Sequence, residues 1–220
     1  MKYTTILFDS DDTLLDFKAS ERQAIYRAFE LAGLPFDEDI RADYSEINHG
    51  LWKALERGET TTDELLCERF RRLFERYGYD YDPCAMNDLY FKCLSDTAFT
   101  MEGAVEILEY LYGRYELDII TNGVGYIQAA RLKNADIRKY INKVFISGEI
   151  GISKPHKGFF DYVLSNINEK DKSRILVVGD SLTSDIKGAI NAGLDCVYIG
   201  EGSDEATYTV SKLLDLKNIL

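Results

Sequence analysis

Five short apolar runs with almost no polar alternation constrain this chain most: residues 5–8, 117–120, 143–146, 175–178 and 196–199. A strand with one wet face alternates apolar and polar residues, whereas a parallel strand covered on both faces reads as a continuous apolar run. Helical patterns separate the last four runs. Residues 102–112 carry Val105, Leu108 and Leu111; residues 157–167 carry Phe160, Val163, Leu164 and Ile167; residues 183–192 carry Ile186, Ala189 and Ile190. Strands alternating with helices predict an α/β fold built on a doubly wound parallel sheet.

The rhythm breaks once, between Phe8 and Leu117. Ile25, Ala28, Phe29 and Ala32 make one helical stripe, and Ile40, Tyr44, Ile47, Leu51 and Leu55 make another. Leu66, Phe70, Leu73 and Tyr77 make a third, behind a capping box at Thr61 and Glu64. Leu89, Tyr90, Cys93 and Leu94 suggest a fourth. The interval predicts an all-helical domain at 17–97, inserted into a core formed by 1–16 and 98–220. An insertion just after the first strand is placed to close over a site at that strand's end and exclude water.

The net charge of −12 is spread over both parts and argues against a nucleic-acid-binding surface. It repels a phosphate at long range, so any phosphate site must be locally positive through a metal, a lysine or helix N-termini. The cysteines at 67, 84, 93 and 196 show no Cys-x-x-Cys spacing. They read as small core residues, with neither a zinc site nor a disulfide framework indicated. His49 and His156 are too few for a histidine-rich metal site. No run approaches membrane-spanning length and none resembles a signal peptide, so a cytoplasmic location and no membrane partner are expected.

In open α/β sheets, ligands bind outside the C-terminal ends of the strands. The first run ends in Phe8-Asp9-Ser10-Asp11-Asp12-Thr13-Leu14, whose carboxylates at i and i+2 share one side while strand geometry persists. One carboxylate can attack an electrophile while the other handles the leaving group's proton. The second run ends in Thr121-Asn122-Gly123, which offers a hydroxyl, an amide and backbone N–H groups. Ser153-Lys154-Pro155 precedes the fourth run and supplies a cation. The proline biases Lys154 towards an extended backbone. The fourth run ends in Gly179-Asp180-Ser181, with Asp185 five residues beyond Asp180. Asp9 and Asp180 bring carboxylates from separate strands, hard oxygen ligands that suit Mg²⁺. Singly, Thr-Asn-Gly is a common turn and Gly-Asp-Ser a common helix cap. Their order, each at the right sheet edge, gives them a joint meaning.

With these motifs the chain resembles the haloacid dehalogenase-like hydrolase superfamily, and its insertion resembles that superfamily's helical type 1 cap. Within it the chain most resembles the housecleaning pyrimidine 5′-nucleotidases. Supporting features are Ile120-Thr121-Asn122-Gly123, Tyr44 through Asn48 to Leu51-Trp52, Arg69-Phe70, Ser153-Lys154-Pro155 and Tyr208-Thr209-Val210-Ser211. The resemblance implies catalytic roles for Asp9, Asp11, Thr121 and Lys154. Asp9 attacks phosphorus to form an aspartyl-phosphate, and Asp11 serves as acid and then base. Thr121, Asn122 and Lys154 bind the phosphoryl oxygens. Mg²⁺ is held by Asp9, the Asp11 backbone carbonyl and Asp180, with Asp185 holding Lys154 or a metal-bound water. Asp12 departs from the family pattern, where many members carry Gly or Asn.

Substrate choice is expected in the insertion and in the loop after the first motif. Asn48 and Trp52, four residues apart on one helix face, are candidates to read a pyrimidine edge and stack on its ring, with His49 and Phe17 nearby in sequence. The expected partner is a small phosphorylated metabolite, such as a nucleoside monophosphate. The expected assembly is a monomer or small homo-oligomer. A sugar-phosphate phosphatase or phosphoglucomutase would use the same four motifs and remains open. A phosphate-binding regulatory module would need neither Asp11 nor the insertion. A nicotinamide site would need a glycine where Gln128 follows Gly123-Val124-Gly125.

Overall fold

A computed structural model describes residues 2–220, which divide into two compact units, residues 2–17 with 98–220 and residues 18–97. The first unit carries a six-stranded, wholly parallel sheet in the order β3-β2-β1-β4-β5-β6. Its strands are β1 (Thr5–Phe8), β2 (Glu116–Thr121), β3 (Lys143–Ile146), β4 (Ile175–Gly179), β5 (Asp195–Ile199) and β6 (Tyr208–Val210). The chain leaves β1, builds outward through β2 and β3, then crosses back to place β4, β5 and β6 on the other side. The α/β class and the doubly wound sheet follow the sequence expectation. The sixth strand was not foreseen: it is three residues long, on an edge, with no apolar run to mark it.

Pleating explains why the runs do not alternate. Ile6 and Phe8, Leu117 and Ile119, Leu176 and Val178 enter one core cluster with Ile107, Leu108 and Leu111. Leu7, Ile120, Ile175 and Val177 enter a second with Phe159, Phe160 and Ala189. Successive side chains point to opposite faces, and helices cover both, so both sets must be apolar.

The helices in chain order are α1 (Phe17–Ala32), α2 (Glu38–Glu56), α3 (Thr62–Tyr77), α4 (Pro83–Ser95), α5 (Ala104–Leu111), α6 (Gly125–Asn134), α7 (Ser147–Ile150), α8 (Lys157–Asn166) and α9 (Lys187–Ala192). A π-helical turn, Leu182–Ile186, opens α9, so the helical pattern at 183–192 is in fact two segments.

Residues 18–97 hold α2, α3, α4 and nearly all of α1. The caps follow from the sequence. Thr61 accepts from Glu64 N while Glu64 accepts from Thr61 N, the reciprocal capping box, and Asp37 and Asp82 cap α2 and α4. On α3 the buried stripe is Leu65, Phe70, Leu73 and Phe74, so Leu66 and Tyr77, expected on it, lie at its margins. An alternative 3.6-residue phase was available in this aromatic-rich segment. Tyr44 and Phe70 stack with centroids 5.2 Å apart, and Tyr90 packs against both.

One cysteine expectation is corrected. Cys67 on α3 and Cys84 on α4 form a disulfide across 17 residues of chain. The pair is brought together by two neighbouring helices, a juxtaposition that spacing along one helix does not show. Cys93 and Cys196 are free and buried, as small core residues. Among the described residues no helix is long and apolar enough to cross a membrane.

Candidate active site

The site forms at the C-terminal ends of β1, β2 and β4, where the sheet reverses its winding direction. Backbone pairing carries β1 one residue beyond Phe8, with Asp9 N donating to Val178 O at 2.8 Å. The chain then turns. Leu14 N and Leu15 N both donate to Ser10 O, and Asp12 N donates to Leu15 O. Asp12 makes this turn in the left-handed region at φ 58°. That conformation explains why Gly or Asn suits the position. The Asp12 carboxylate accepts from Phe17 N at 3.1 Å, which steadies the turn.

The turn separates the two carboxylates. Asp9 is buried, and its Oδ1 accepts from Lys154 Nζ at 2.6 Å. Asp11 is past the strand, and its oxygens accept from Gln128 and Arg131 of α6. The i, i+2 alternation therefore does not set the direction of Asp11. Strand geometry ends before it.

Lys154 is the hub. Its ammonium donates to Asp9 Oδ1 at 2.6 Å, Asp185 Oδ1 at 2.6 Å and Ile120 O at 2.9 Å, using all three protons. Asn122 fixes the lysine's backbone from both sides: Lys154 N donates to its Oδ1 at 2.9 Å, and its Nδ2 donates to Lys154 O at 3.0 Å. The Asn122 amide thus holds the residue that bears the charge. The Lys154–Pro155 peptide is cis. Thr121, buried at the end of β2, accepts from Gln128 Nε2 at 2.9 Å.

Asp185 is fully buried and reaches Lys154 because of the π turn, in which Asp185 N and Ile186 N both donate to Ser181 O. Its second oxygen accepts from Ser181 N at 3.1 Å. Gly179 leaves the space that the Asp185 carboxylate fills. Asp180, at the end of β4, accepts from Thr13 Oγ1 at 3.3 Å.

Asp9, Asp180 and Asp185 each offer an oxygen, all within 4.8 Å of one another. Three carboxylates crowd around one lysine here, and the crowding shows in the protonation of Asp9 and Asp180. Burial first, then Asp185, hold the Asp9 carboxyl well above the usual carboxylate range, against the pull of Lys154. Burial first, then Asp185 and Asp12, push Asp180 up to about 7. Burial pulls Lys154 down, but Asp185 and Asp9 more than offset it, and its pKa is raised. An all-oxygen donor set with unbalanced negative charge fits a hard divalent cation such as Mg²⁺. The Asp11 carboxylate is outside this cluster.

The remaining candidates fall elsewhere. Asn48 is buried within the helical unit, where its Nδ2 donates to Glu21 at 2.7 Å and its Oδ1 accepts from Arg69 at 3.1 Å. Its amide is spent on that network. Trp52 is half-buried beside Leu51, Leu55 and Leu65. His49 and His156 are exposed. Phe17 lies over the Arg131 guanidinium, 5.4 Å from ring centre to carbon. Gln128 and Arg131 were missed by sequence reading. Their signal was two polar residues three apart on the buried face of α6, between Ile127 and Leu132.

Known proteins resemble this chain along its whole length. YjjG of Escherichia coli (strain K12), a pyrimidine 5′-nucleotidase, is 34% identical over 226 residues that cover 100% of this chain and 99% of its own. PynA of Streptococcus pneumoniae, also a pyrimidine 5′-nucleotidase, is 36% identical over 232 residues, covering 100% of this chain and 98% of its own. The solved structure of YfnB from Bacillus subtilis, bound to magnesium, matches with a TM-score of 0.94 at 37% identity, over 100% of this chain and 99% of that one. The family model for haloacid dehalogenase-like hydrolases matches residues 3–193, which contain every element of the site from Asp9 to Asp185. By this match, and by two relatives above 30% identity along their whole lengths, the chain belongs to the haloacid dehalogenase-like hydrolase family.

Proposed function

We propose that this protein is a Mg²⁺-dependent phosphatase that works through an aspartyl-phosphate on Asp9, with pyrimidine nucleoside 5′-monophosphates as substrates. The observation that carries the reading is the buried Asp9 carboxylate, held 2.6 Å from Lys154 and grouped with Asp180 and Asp185. A carboxylate so placed is oriented as a nucleophile, and the Lys154 N–H now donating to Asp9 would turn to a phosphoryl oxygen as the bond to phosphorus forms.

In the first step an Asp9 oxygen bonds to phosphorus, the ester P–O bond breaks, and the leaving alkoxide takes a proton from Asp11. In the second, a water attacks phosphorus and gives a proton to Asp11. The acyl-phosphate P–O bond breaks, and Asp9 returns as a carboxylate. Thr121 and Lys154 bind the transferring group, while Asn122 and Asp185 hold Lys154. Asp9, Asp180 and the Asp11 carbonyl would hold Mg²⁺, with Asp185 beside it. The ion would supply charge neutralisation between carboxylate and phosphate.

The pyrimidine nucleotide reading draws support from the two relatives that bear that activity in their names. Trp52, half-buried in the helical unit, is the better candidate to stack on a base. Asn48 has its amide committed to Glu21 and Arg69. A cap role for residues 18–97 fits the YfnB structure, which is described as revealing interdomain movement. Cytoplasmic location fits the same reading.

The test is phosphate release from a panel of 5′-nucleotides and sugar phosphates, in Mg²⁺ and in EDTA, beside Asp9→Asn. Release that needs the metal, favours dUMP, UMP and dTMP, and is lost in the variant is the expected result. A sugar-phosphate preference would overturn the substrate class. Absence of release from every ester, by folded protein in Mg²⁺, would overturn the phosphatase reading.

A further inference from the structure

We infer that Gln128 and Arg131 are positioning residues that aim Asp11, an inference that rests on the phosphatase reading. Both lie on α6, one turn apart on a single face, and are almost wholly buried at 2% and 1% exposure. Gln128 Nε2 donates to Asp11 Oδ2 at 2.8 Å and to Thr121 Oγ1 at 2.9 Å. Arg131 Nη1 donates to Asp11 Oδ1 at 2.5 Å and to Gln128 Oε1 at 2.9 Å. Each Asp11 oxygen therefore has its own donor, and the amide orientation of Gln128 is fixed by Arg131 on one side and Thr121 on the other.

The geometry differs from that of an ordinary structural ion pair. The Arg131 side chain is 1% exposed, while the Asp11 side chain keeps 26% exposure. The grip is anchored in dry protein and its cargo faces outward. A buried guanidinium is costly to desolvate, and core residues of similar volume would pack without that cost. Here the cation is stacked under Phe17 and spends a bond on the outward carboxylate. Space has been left for the grip as well: a Cβ at Gly123 would meet Gln128 Cγ at 3.1 Å. The bond from Gln128 to Thr121 ties the proton-handling carboxylate to the end of β2, where the phosphoryl group is expected to bind. A small error in this spacing is enough to lose much of the benefit of a placed acid.

The consequence is specific. Asp11 matters to the first step in proportion to how badly the leaving group needs a proton. The experiment measures kcat/KM for 4-nitrophenyl phosphate, phenyl phosphate and a nucleoside 5′-monophosphate with wild type, Arg131→Lys, Arg131→Met and Gln128→Leu, beside thermal melts. This ratio counts only steps up to loss of the alcohol, so it excludes the later hydrolysis of the intermediate. The expected result is a steeper dependence on leaving group. Arg131→Met and Gln128→Leu would lose roughly 100-fold on phenyl phosphate and the nucleotide, within the range for general acid catalysis, yet stay within about 3-fold on 4-nitrophenyl phosphate. Arg131→Lys would recover part of the loss. A uniform fall on all three esters, or no fall in a folded variant, would overturn the positioning role while leaving the phosphatase reading intact. If Arg131→Met does not fold, Gln128→Leu alone decides, because it removes both donated bonds while Arg131 keeps its Asp11 partner. Wild-type protein that hydrolyses none of the esters would overturn the parent reading and this inference with it.

Discussion

A methyl group at position 179 would place its carbon 2.4 Å from Asp185 Oδ2, far inside van der Waals contact. Gly179→Ala is therefore expected to push Asp185 off Lys154. The cost is about 1–3 kcal/mol in urea unfolding and at least about 10-fold in kcat, and normal kinetics in that variant would contradict the role given to Asp185. Lys154→Met is harsher. It leaves Asp9 and Asp185 buried with no cation between them, at a cost of about 3–5 kcal/mol. Burial already holds Asp9 well above the usual carboxylate range. Low pH therefore supplies the missing proton, and the urea midpoint deficit should be smaller at pH 5 than at pH 8. The grouping of Asp9, Asp180 and Asp185 could be read from the chain because their motifs follow strand ends, and Lys154 could be read as the cation beside Pro155 ahead of the fourth strand. The aim of Asp11 could not, because it depends on a left-handed turn at Asp12 and on which face of α6 is buried.

Elements were legible where one face of a segment is clearly apolar, and less so where two phases compete. Five strands and the Thr61–Glu64 box were visible as patterns. The buried phase of α3 was not, because Leu65 and Leu66, Phe70 and Phe74 and Tyr77 fit two stripes. Thr61→Ala should lower the stability of the protein by about 1 kcal/mol in denaturant unfolding, since it removes the side-chain partner of Glu64 N. The α3–α4 pairing carries a covalent check. Denatured but unreduced protein should titrate two thiols, Cys93 and Cys196, while reduced protein should titrate four. Four thiols without reductant would mean that Cys67 and Cys84 are not joined. Spacing along the chain could not reveal this pair, since it exists only between helices.

For the molecule as a whole, the unbalanced carboxylates link stability to pH and to metal. Asp180 is pushed up to about 7 by burial, Asp185 and Asp12, and Asp118, buried in β2, is pushed up to about 6, chiefly by burial. A carboxyl raised in the folded state holds a proton that the unfolded chain has released. Its contribution is present below the unfolded value near 4 and is lost as pH rises through the folded value. In EDTA the protein should therefore melt at a lower temperature at pH 8 than at pH 6. On the proposed reading Mg²⁺ would bind where that proton sat, so it should raise the melting temperature more at pH 8 than at pH 6. Equal shifts at both values would count against the cluster as the binding site. Overall class and sheet order were within reach of the sequence, because strand and helix alternation leaves few topologies.

The strand order also bears on how the chain is made. β1 leaves the ribosome before both of its sheet partners, β2, beginning at Glu116, and β4, beginning at Ile175. The central strand of the sheet, apolar but for Thr5, thus waits unpaired until β2 has been synthesised. The helical unit at 18–97 is complete before either partner appears. Pairings so remote along the chain fold slowly, and a waiting strand is exposed to association with other chains. Delayed docking of β1 is the expected biosynthetic cost of placing Asp9 on the earliest strand of the sheet, at its middle.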